Sequence, residues 1–396
     1  MNAGDLRFAR RFDGISGSAI REIFKLLAVP GMISFAGGNP SPDALPYETA
    51  AEVSRRVLLE KGKTLLQYGA TEGYLPLRES LVGYIRSQFR YEAPIEEILP
   101  TTGSTQGMDL LCKALIDPGD VILVEDPTFL GNMQGMKLYE ARLEAIPAQE
   151  DGIDVDGLEE MIKREHPKMI YLIPTFQNPT GKTLSLEKRR RVAFLAEKYG
   201  VVVAEDDPYR DLRYRGEALP SIKSFDQSGL VALLGSFSKV ISPGLRVGFL
   251  CADKRILRKC TIGKQSSDVH TALLNQAIVD SFLREGLLPG HVGSICRLYA
   301  RQLDTMLTGL SKCAGVEKYT KPEGGLFIFA ELKEGLNAKD LLLKTVDRGA
   351  AYVPGTHFYA NGGHENTLRL NFSMSTIDEI ERGMGILNEV FQEAMK

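Results

Sequence analysis

Cysteine and histidine are scarce in this chain, and the few that occur lack the spacing of a disulfide framework or a metal site. Neither a CxxC nor an HExxH pattern is present in the 396 residues. An odd number of scattered cysteines predicts reduced, mostly buried thiols, and isolated histidines predict no protein-bound metal. The residues concerned are Cys112, Cys251, Cys260, Cys296, Cys313, His166, His270, His291, His357 and His364.

Long apolar runs and an excess of one charge are also missing. No apolar stretch approaches the roughly 20 residues of a membrane-spanning helix. The formal net charge is only −3, and no lysine or arginine cluster stands out, so neither nucleic acid nor an anionic membrane is expected as a partner. The charged segment 1–12 lacks the apolar core of a signal peptide, which favours a cytoplasmic location.

The chain instead alternates short apolar runs with amphipathic segments between residues 98 and 251, a pattern typical of parallel βαβ units. Its length predicts two domains. We expect an α/β large domain at 49–290, a smaller α+β domain at 291–396, and an arm at 1–48 that packs with the small domain. A long helical region is predicted at 268–310. Strands are predicted at 121–125, 169–173, 201–205, 230–235 and 247–251 in the large domain, and at 367–372 in the small one.

Lys239 lies in the run GSFSKVISPGLR at 235–246, from which the chemistry can be argued. The apolar run before it predicts a buried strand whose carboxyl end carries Lys239, where open α/β sheets bind ligands. A buried lysine becomes a free amine near neutral pH and can react with an aldehyde cofactor. Ser236, Ser238 and Arg246 stand at spacings that suit a phosphate dianion. The alternative is a surface lysine in a loop of serines and glycines.

A second anion site is predicted at TGSTQGM, residues 102–108. This run follows an apolar turn and opens a helix, so its free N–H groups and the helix dipole face one point. The alternative is that Ser104 is simply a helix N-cap and binds no anion. Together with Ser236, Ser238 and Arg246 it more plausibly surrounds one phosphate, to which Arg246 presents a planar fork.

Two further runs end at the same predicted edge of the sheet. Asp206, in VVAEDDPY, ends a buried strand with a carboxylate that needs a partner, and a pyridinium N–H supplies one. Asn178, in QNPTG, follows another strand and could donate to a phenolate oxygen. The alternatives are a helix N-cap cluster for the carboxylates and an ordinary turn for Asn178.

Taken together, GSFSKVISPGLRVGF, QNPTG, EDDPY, LQYGATEGY and SFAGGNP resemble a fold-type I, class I/II pyridoxal-phosphate aminotransferase. Within that class the chain is similar to the bacterial 2-aminoadipate aminotransferases and the kynurenine/2-aminoadipate aminotransferases. The resemblance runs from about residue 16 to the carboxyl terminus. It implies a mostly parallel seven-stranded sheet between helices, plus the smaller domain, and pyridoxal 5′-phosphate as cofactor.

The resemblance also implies a role for each matched residue. Lys239 would bind the cofactor and move protons, Asp206 would contact the pyridine nitrogen, and Tyr209 with Asn178 would donate to the phenolate oxygen. Tyr68 would reach the cofactor phosphate of the partner in a homodimer, and Phe129 would stack on the ring. The remaining predicted cofactor contacts are Ser104, Thr105, Gln106, Ser236, Ser238 and Arg246.

For the substrate, the resemblance implies that Arg369 binds the α-carboxylate, with help from Gly38 and Asn178. Arg21 matches an arginine that binds a distal carboxylate in the 2-aminoadipate enzymes, although an exposed helix arginine forming ordinary ion pairs is the competing interpretation. The predicted reaction moves an amino group between an α-amino acid and a 2-oxo acid such as 2-oxoglutarate. The alternatives are a lyase or decarboxylase on the same fold, and a non-catalytic ligand-sensing domain.

Overall fold

The computed structural model describes residues 6–13, 15 and 31–396. The strands in this part are, in chain order, β1 (Ile33–Ser34), β2 (Ile98–Thr101), β3 (Val121–Asp126), β4 (Arg142–Gln149), β5 (Gly152–Ile153), β6 (Met169–Leu172), β7 (Val202–Asp206), β8 (Val231–Ser236), β9 (Gly248–Cys251), β10 (Val316–Tyr319), β11 (Phe327–Leu332), β12 (Ala350–Ala351), β13 (Val353–Pro354) and β14 (Thr367–Asn371). The helices are α1 (Tyr47–Leu65), α2 (Leu75–Phe89), α3 (Ser104–Leu115), α4 (Leu130–Leu138), α5 (Val155–Glu165), α6 (Leu186–Tyr199), α7 (Lys254–Gln265), α8 (Leu273–Arg284), α9 (Leu287–Ser311), α10 (Ala338–Asp347) and α11 (Ile377–Ala394). None of these helices has the length and apolar content needed to cross a membrane.

The larger sheet has, within the described residues, the order β2-β9-β8-β7-β6-β3-β4-β5. Strands β4, β3, β6, β7 and β8 pair in parallel, while β9 runs antiparallel to both of its neighbours. The predicted mostly parallel sheet of seven strands is therefore confirmed, and the two-residue β5 adds an eighth by pairing antiparallel with β4. The central strands β7 and β8 are buried, apart from Ser236 at the end of β8, because helices cover both faces.

Two apolar clusters form the core on either side of this sheet. In α3 the side chains of Met108, Leu111 and Cys112 are buried. Parallel strands β3, β6, β7 and β8 all end at the same edge, which is the edge where an α/β sheet binds its ligand.

The smaller sheet, with the order β10-β11-β14-β13, is antiparallel. Beside it, β1 of the predicted arm pairs in parallel with β12 through Ile33 and Ala350. Arg10 instead contacts Glu140, just after α4, with 2.8 Å between Nε and Oε1. Another part of the arm therefore contacts the segment between α4 and β4 of the large domain. The predicted domain boundary at 290 falls inside the continuous helix α9.

Two elements differ from the sequence prediction. The segment before Thr102 was expected to be an apolar turn, because Pro100 is unfavourable in a strand, but it forms the strand β2. Proline is tolerated there because β2 lies at the edge of the sheet. The long helical region predicted at 268–310 is divided into α8 and α9 by Gly286, which has φ 67°. A glycine takes that left-handed conformation without strain, and it interrupts the helical hydrogen bonding there.

Candidate active site

A cavity of about 400 Å³ opens where the carboxyl edge of the large sheet meets β11 and β14 of the small one. It brings together most of the predicted site residues, which lie far apart in the sequence. Its lining includes Gly38, Ser104, Thr105, Phe129, Asn178, Asp206, Tyr209, Ser236, Ser238, Lys239, Arg246 and Arg369.

Lys239 points into this cavity from the turn after β8. Its Nζ donates a hydrogen bond to the carbonyl oxygen of Gly38 at 2.7 Å. Burial, together with the positive charges of Arg369 and Arg246, lowers the pKa of Lys239 to about 8. A much larger fraction of this amine than of an exposed loop lysine is therefore uncharged near neutral pH and able to attack an aldehyde.

The phosphate end of the cavity combines the start of α3 with the turn after β8. Ser236 donates to Ser238 across 3.1 Å, and Ser238 accepts from Nη1 of Arg246 at 3.4 Å. Gly103, with φ 78°, is the N-cap of α3, so Ser104 is its first residue rather than its cap. A Cβ at Gly103 would lie 2.5 Å from Nη2 of Arg246. Only glycine lets the helix terminus and the guanidinium approach the same anion.

Asp206 lies at the floor of the cavity and is 3% exposed. Its Oδ2 accepts from Tyr171 Oη at 2.9 Å and from Asn132 Nδ2 at 3.1 Å. Its Oδ1 is buried and has no hydrogen-bond partner among the described residues. Burial raises the pKa of Asp206 to about 7, against the hydrogen bond from Tyr171. A buried oxygen that lacks a donor fits a pyridinium N–H.

The neighbouring Asp207 faces away into a different set of contacts. It accepts from Arg210 Nε at 2.9 Å and from Thr175 Oγ1 at 3.0 Å. No helix follows the carboxylates, because the chain after β7 enters turns. The helix-cap interpretation of the EDDP run is therefore wrong. Both carboxylates have a buried Oδ1 without a partner among the described residues, but Asp206 alone of the two lines the cavity.

The opposite wall of the cavity is formed by Arg369, Asn178 and Tyr209. Arg369 donates from Nη1 to Asn178 Oδ1 at 2.9 Å and from Nη2 to the carbonyl of Ala36 at 2.7 Å. Asn178 Nδ2 in turn donates to Tyr209 Oη at 3.4 Å. Burial lowers the pKa of Arg369 to about 10. Its Nε is buried without an acceptor among the described residues, so a further anionic oxygen would satisfy it.

Of the predicted cofactor contacts Phe129 and Tyr68, only Phe129 lines the cavity. Phe129 is the N-cap of α4 and lines the cavity. Tyr68 is 82% exposed and lies outside this cavity, with its ring 6.0 Å from that of His270. Arg21 lies outside the described residues.

Gln106 does not line the cavity, and its predicted cofactor contact is wrong for this structure. Its Oε1 accepts from Lys264 Nζ at 2.7 Å, and its Nε2 donates to Asp268 at 2.7 Å. Its backbone N–H is also occupied, by the carbonyl of Gly103. Successive side chains of a helix are rotated by about 100° around its axis. Gln106, two residues after Ser104, therefore points to nearly the opposite side of α3 from the anion site that Ser104 faces.

The structure adds three residues that the sequence did not indicate. Asn132 and Tyr171 hold Asp206 in place, and Phe327 lies under the Arg369 guanidinium, 4.3 Å from CZ to the ring centroid. Tyr171 lies in the middle of an apolar strand and Asn132 within a helix with no motif around it. Only the contacts of Asn132 and Tyr171 with Asp206, and of Phe327 with Arg369, show that these three residues belong to the site.

Pyridoxal phosphate fits this donor and acceptor set. The orphaned Oδ1 of Asp206 matches the ring nitrogen, Lys239 the aldehyde, and the serines with Arg246 the phosphate. Fold and site thus define a fold-type I enzyme that uses pyridoxal 5′-phosphate.

Comparison with known proteins gives the family. Residues 30–387 match the family described as aminotransferase class I and II. The 2-aminoadipate transaminase of Thermus thermophilus is 44% identical over 95% of this chain and 94% of its own. The aromatic-amino-acid aminotransferase 1 of Thermococcus litoralis is 41% identical over 98% and 95%. A crystal structure of the α-aminoadipate aminotransferase LysN from Thermus thermophilus, complexed with N-(5′-phosphopyridoxyl)-L-leucine, superposes with a TM-score of 0.91 at 40% identity, covering 98% of each chain.

The chain therefore belongs to the class I and II aminotransferases. It is a pyridoxal-phosphate-dependent enzyme that transfers amino groups between amino acids and 2-oxo acids. Because the similar proteins at 41% and 44% identity are aminotransferases, the comparisons do not favour a lyase, a decarboxylase or a ligand-sensing domain.

Proposed function

We propose that the enzyme accepts 2-aminoadipate and glutamate, with leucine and aromatic amino acids as further donors, and returns the amino group to a 2-oxo acid such as 2-oxoglutarate by a ping-pong mechanism. The names of the similar enzymes from Thermus and Thermococcus support 2-aminoadipate and aromatic amino acids, and the phosphopyridoxyl-leucine complex of the Thermus enzyme supports leucine. The observation that carries the proposal is Arg369, whose buried Nε at the cavity wall has no acceptor within residues 31–396 or the other described positions. An α-carboxylate would satisfy this donor with charge-assisted hydrogen bonds.

When bound, the cofactor supplies an electron sink that weakens the bond from Cα to its proton. Asp206 would stabilise a positive charge on the ring nitrogen, because a carboxylate in a buried site interacts strongly with such a charge. Lys239, whose pKa of about 8 is close to neutrality, takes the Cα proton and returns it. Arg369 orients the substrate by its carboxylate, and Asn178 and Tyr209 donate hydrogen bonds at the phenolate position.

We further propose that Arg21 binds the distal carboxylate of acidic substrates. The support is the match of its surrounding sequence to the 2-aminoadipate enzymes. A charge-assisted contact contributes roughly 1.5 to 3 kcal/mol, or about one to two decades in specificity. Arg21→Ala should lower kcat/KM for 2-aminoadipate and glutamate by that factor and leave leucine and phenylalanine nearly unchanged. Uniform loss across the four substrates would assign Arg21 a structural role instead.

The proposed active unit is a homodimer in the cytoplasm. Its support is a set of exposed large apolar side chains on α1, α2 and the loop between them, a kind of surface that an interface can cover. Tyr68 lies in that loop. The five cysteines form no disulfide, as expected in a reducing compartment. The exposed side chains are Tyr47, Leu59, Leu66, Tyr68 and Leu75.

A substrate panel tests the proposed reaction. The purified holoenzyme is incubated with each amino acid, with and without 2-oxoglutarate, while glutamate, pyruvate and CO₂ are measured. We expect glutamate formation that depends on the oxo acid, with 2-aminoadipate among the best donors. Release of pyruvate or CO₂ without an oxo acid would instead indicate elimination or decarboxylation.

A further inference from the structure

Next to the phosphate end of the cavity, and outside it, lies a group of five polar side chains, of which two are buried and three half-buried. Lys264 is fully buried, and its Nζ donates to Gln106 Oε1 at 2.7 Å and to both oxygens of Asp268 at 3.0 Å. It also donates to Thr271 Oγ1 at 3.0 Å. We call Lys264, Asp268, Gln106, Thr102 and Thr271 the Lys264 cluster.

The cluster is joined to the phosphate-binding turn through Thr102. The backbone N–H of Thr102 donates to Gln106 Oε1 at 2.8 Å, and its hydroxyl donates to Asp268 Oδ2 at 2.9 Å. Asp268 Oδ2 also accepts from Gln106 Nε2 at 2.7 Å. Both the backbone and the side chain of Thr102 are thereby fixed, and Gly103 and Ser104 follow directly in the chain.

On its other side the turn meets Arg246. The carbonyl of Thr102 accepts from Nη2 of Arg246 at 3.3 Å, and Gly103 leaves no space for a side chain beside that guanidinium. The turn is therefore held between Arg246 and the Lys264 cluster. If the cluster is lost, the N–H groups at the start of α3 lose the support that sets their position.

The backbone next to the cluster is strained. Val269, a β-branched residue, has φ 65°, a conformation that such residues rarely adopt. The N–H groups of Asp268 and Val269 both donate to the carbonyl of Lys264, at 3.0 and 3.2 Å. Strain of this kind persists only where the surroundings over-determine the backbone, and it is concentrated near functional sites.

We propose that Lys264 and Asp268 are positioning residues for the cofactor phosphate. They act through Thr102 and Gln106, hold the start of α3 at the distance the phosphate needs, and do not themselves touch the cofactor. The inference rests on the proposed phosphate site formed by Ser104 and Arg246. Misplacing hydrogen-bond donors weakens their contact with the phosphate alone, so the loss should be specific to ligands that carry one.

Two variants test the proposal by different routes. Lys264→Met removes the buried cation, while Thr102→Val removes only the hydroxyl that joins the turn to Asp268 and keeps the ion pair intact. Lys113→Met is the matched control, because Lys113, on α3, donates to Ser267 next to Asp268 at 2.7 Å but lies at the surface. Dissociation constants of pyridoxal phosphate and of pyridoxal are measured by absorbance titration of each apoprotein.

Both variants should raise the dissociation constant of pyridoxal phosphate about tenfold, the value of one charge-assisted hydrogen bond, and leave that of pyridoxal unchanged. The control should change neither. Equal weakening for both ligands, or unchanged affinity for pyridoxal phosphate in both variants, would overturn the proposal. A wild-type apoprotein that binds pyridoxal as tightly as pyridoxal phosphate would instead show that the phosphate site itself is misassigned.

Discussion

Arg369 and Asn178 share a hydrogen bond of 2.9 Å, from Nη1 to Oδ1, across 191 residues of sequence. The bond determines which way the Asn178 amide faces, because its oxygen is taken by Arg369 and its nitrogen is left to donate towards Tyr209 Oη. One contact thus links the residue proposed for the substrate carboxylate to the residues proposed for the cofactor ring.

Loss of Arg369 should therefore impair substrate and ring contacts together. Arg369→Gln is expected to lower kcat/KM for every amino acid substrate by about one to two decades or more, since a charge-assisted pair with the α-carboxylate disappears. Steady-state kinetics measure this. Arg215→Gln, which removes an exposed ion pair with Asp304, serves as the control and should be nearly silent. An effect confined to acidic substrates would contradict the assignment.

Lys239 should carry the cofactor covalently. Borohydride treatment of the holoenzyme is expected to attach pyridoxal phosphate irreversibly to Lys239, as seen by peptide mass spectrometry. Lys239→Ala should retain the cofactor only noncovalently and lose essentially all turnover. Lys182→Ala, whose amine pairs with Glu150 on the surface, should behave like the wild type. Wild-type turnover in Lys239→Arg would rule the assignment out.

Asp206 and Asp207 should differ in the kind of defect they cause. Asp206→Asn is expected to lower kcat much more than cofactor occupancy, because its charge acts mainly after the substrate has bound. Asp207→Asn should mainly destabilise the fold, since it leaves the buried Arg210 without its carboxylate, a cost of about 3 to 5 kcal/mol. Turnover, occupancy and thermal unfolding are compared. An equal loss of turnover in both variants would mean that the wrong carboxylate was chosen.

The raised pKa of Asp206 predicts a pH-dependent stability of the apoprotein. Its folded pKa is about 7, well above the usual value near 3.9, so unfolding releases a proton between these values. The stabilisation present at low pH is lost as the pH rises through this window, at no more than about 1.4 kcal/mol per pH unit for one group. Asp206→Asn cannot titrate, so its apoprotein should gain in Tm relative to the wild type from pH 5 to pH 8. A constant difference over that range would contradict the shift.

Subunit mixing tests whether Tyr68 serves the neighbouring site. In a Tyr68→Phe/Lys239→Ala heterodimer, one site would carry both defects and the other neither. Activity above that of either parent homodimer is expected. Tyr47→Phe, changed at another exposed position, provides a control subunit with its tyrosine outside the predicted contact. A fully active monomer in analytical ultracentrifugation would exclude shared sites.

Much of the site could be predicted from sequence because its residues follow buried strands. Lys239 and Asp206 each come at the carboxyl end of an apolar run, and parallel strands bring such ends to one edge. The alternation of apolar and amphipathic segments also predicted the mostly parallel sheet. By contrast, β2 was missed because Pro100 interrupts its pattern, and the edge position that tolerates proline is a property of the assembled sheet.

Only the tertiary structure could decide which way individual side chains face. Gln106 stands two residues from Ser104 in one motif, yet it turns towards Lys264, a residue 158 positions away. Asp206 and Asp207 are adjacent, but the alternation of a strand and the turn that follows direct one to the cavity and the other to Arg210. The sequence by itself determined the residue types and the strand ends that carry the chemistry. The packing of distant elements decided which of those residues meet, because their contacts span separations that no local pattern encodes.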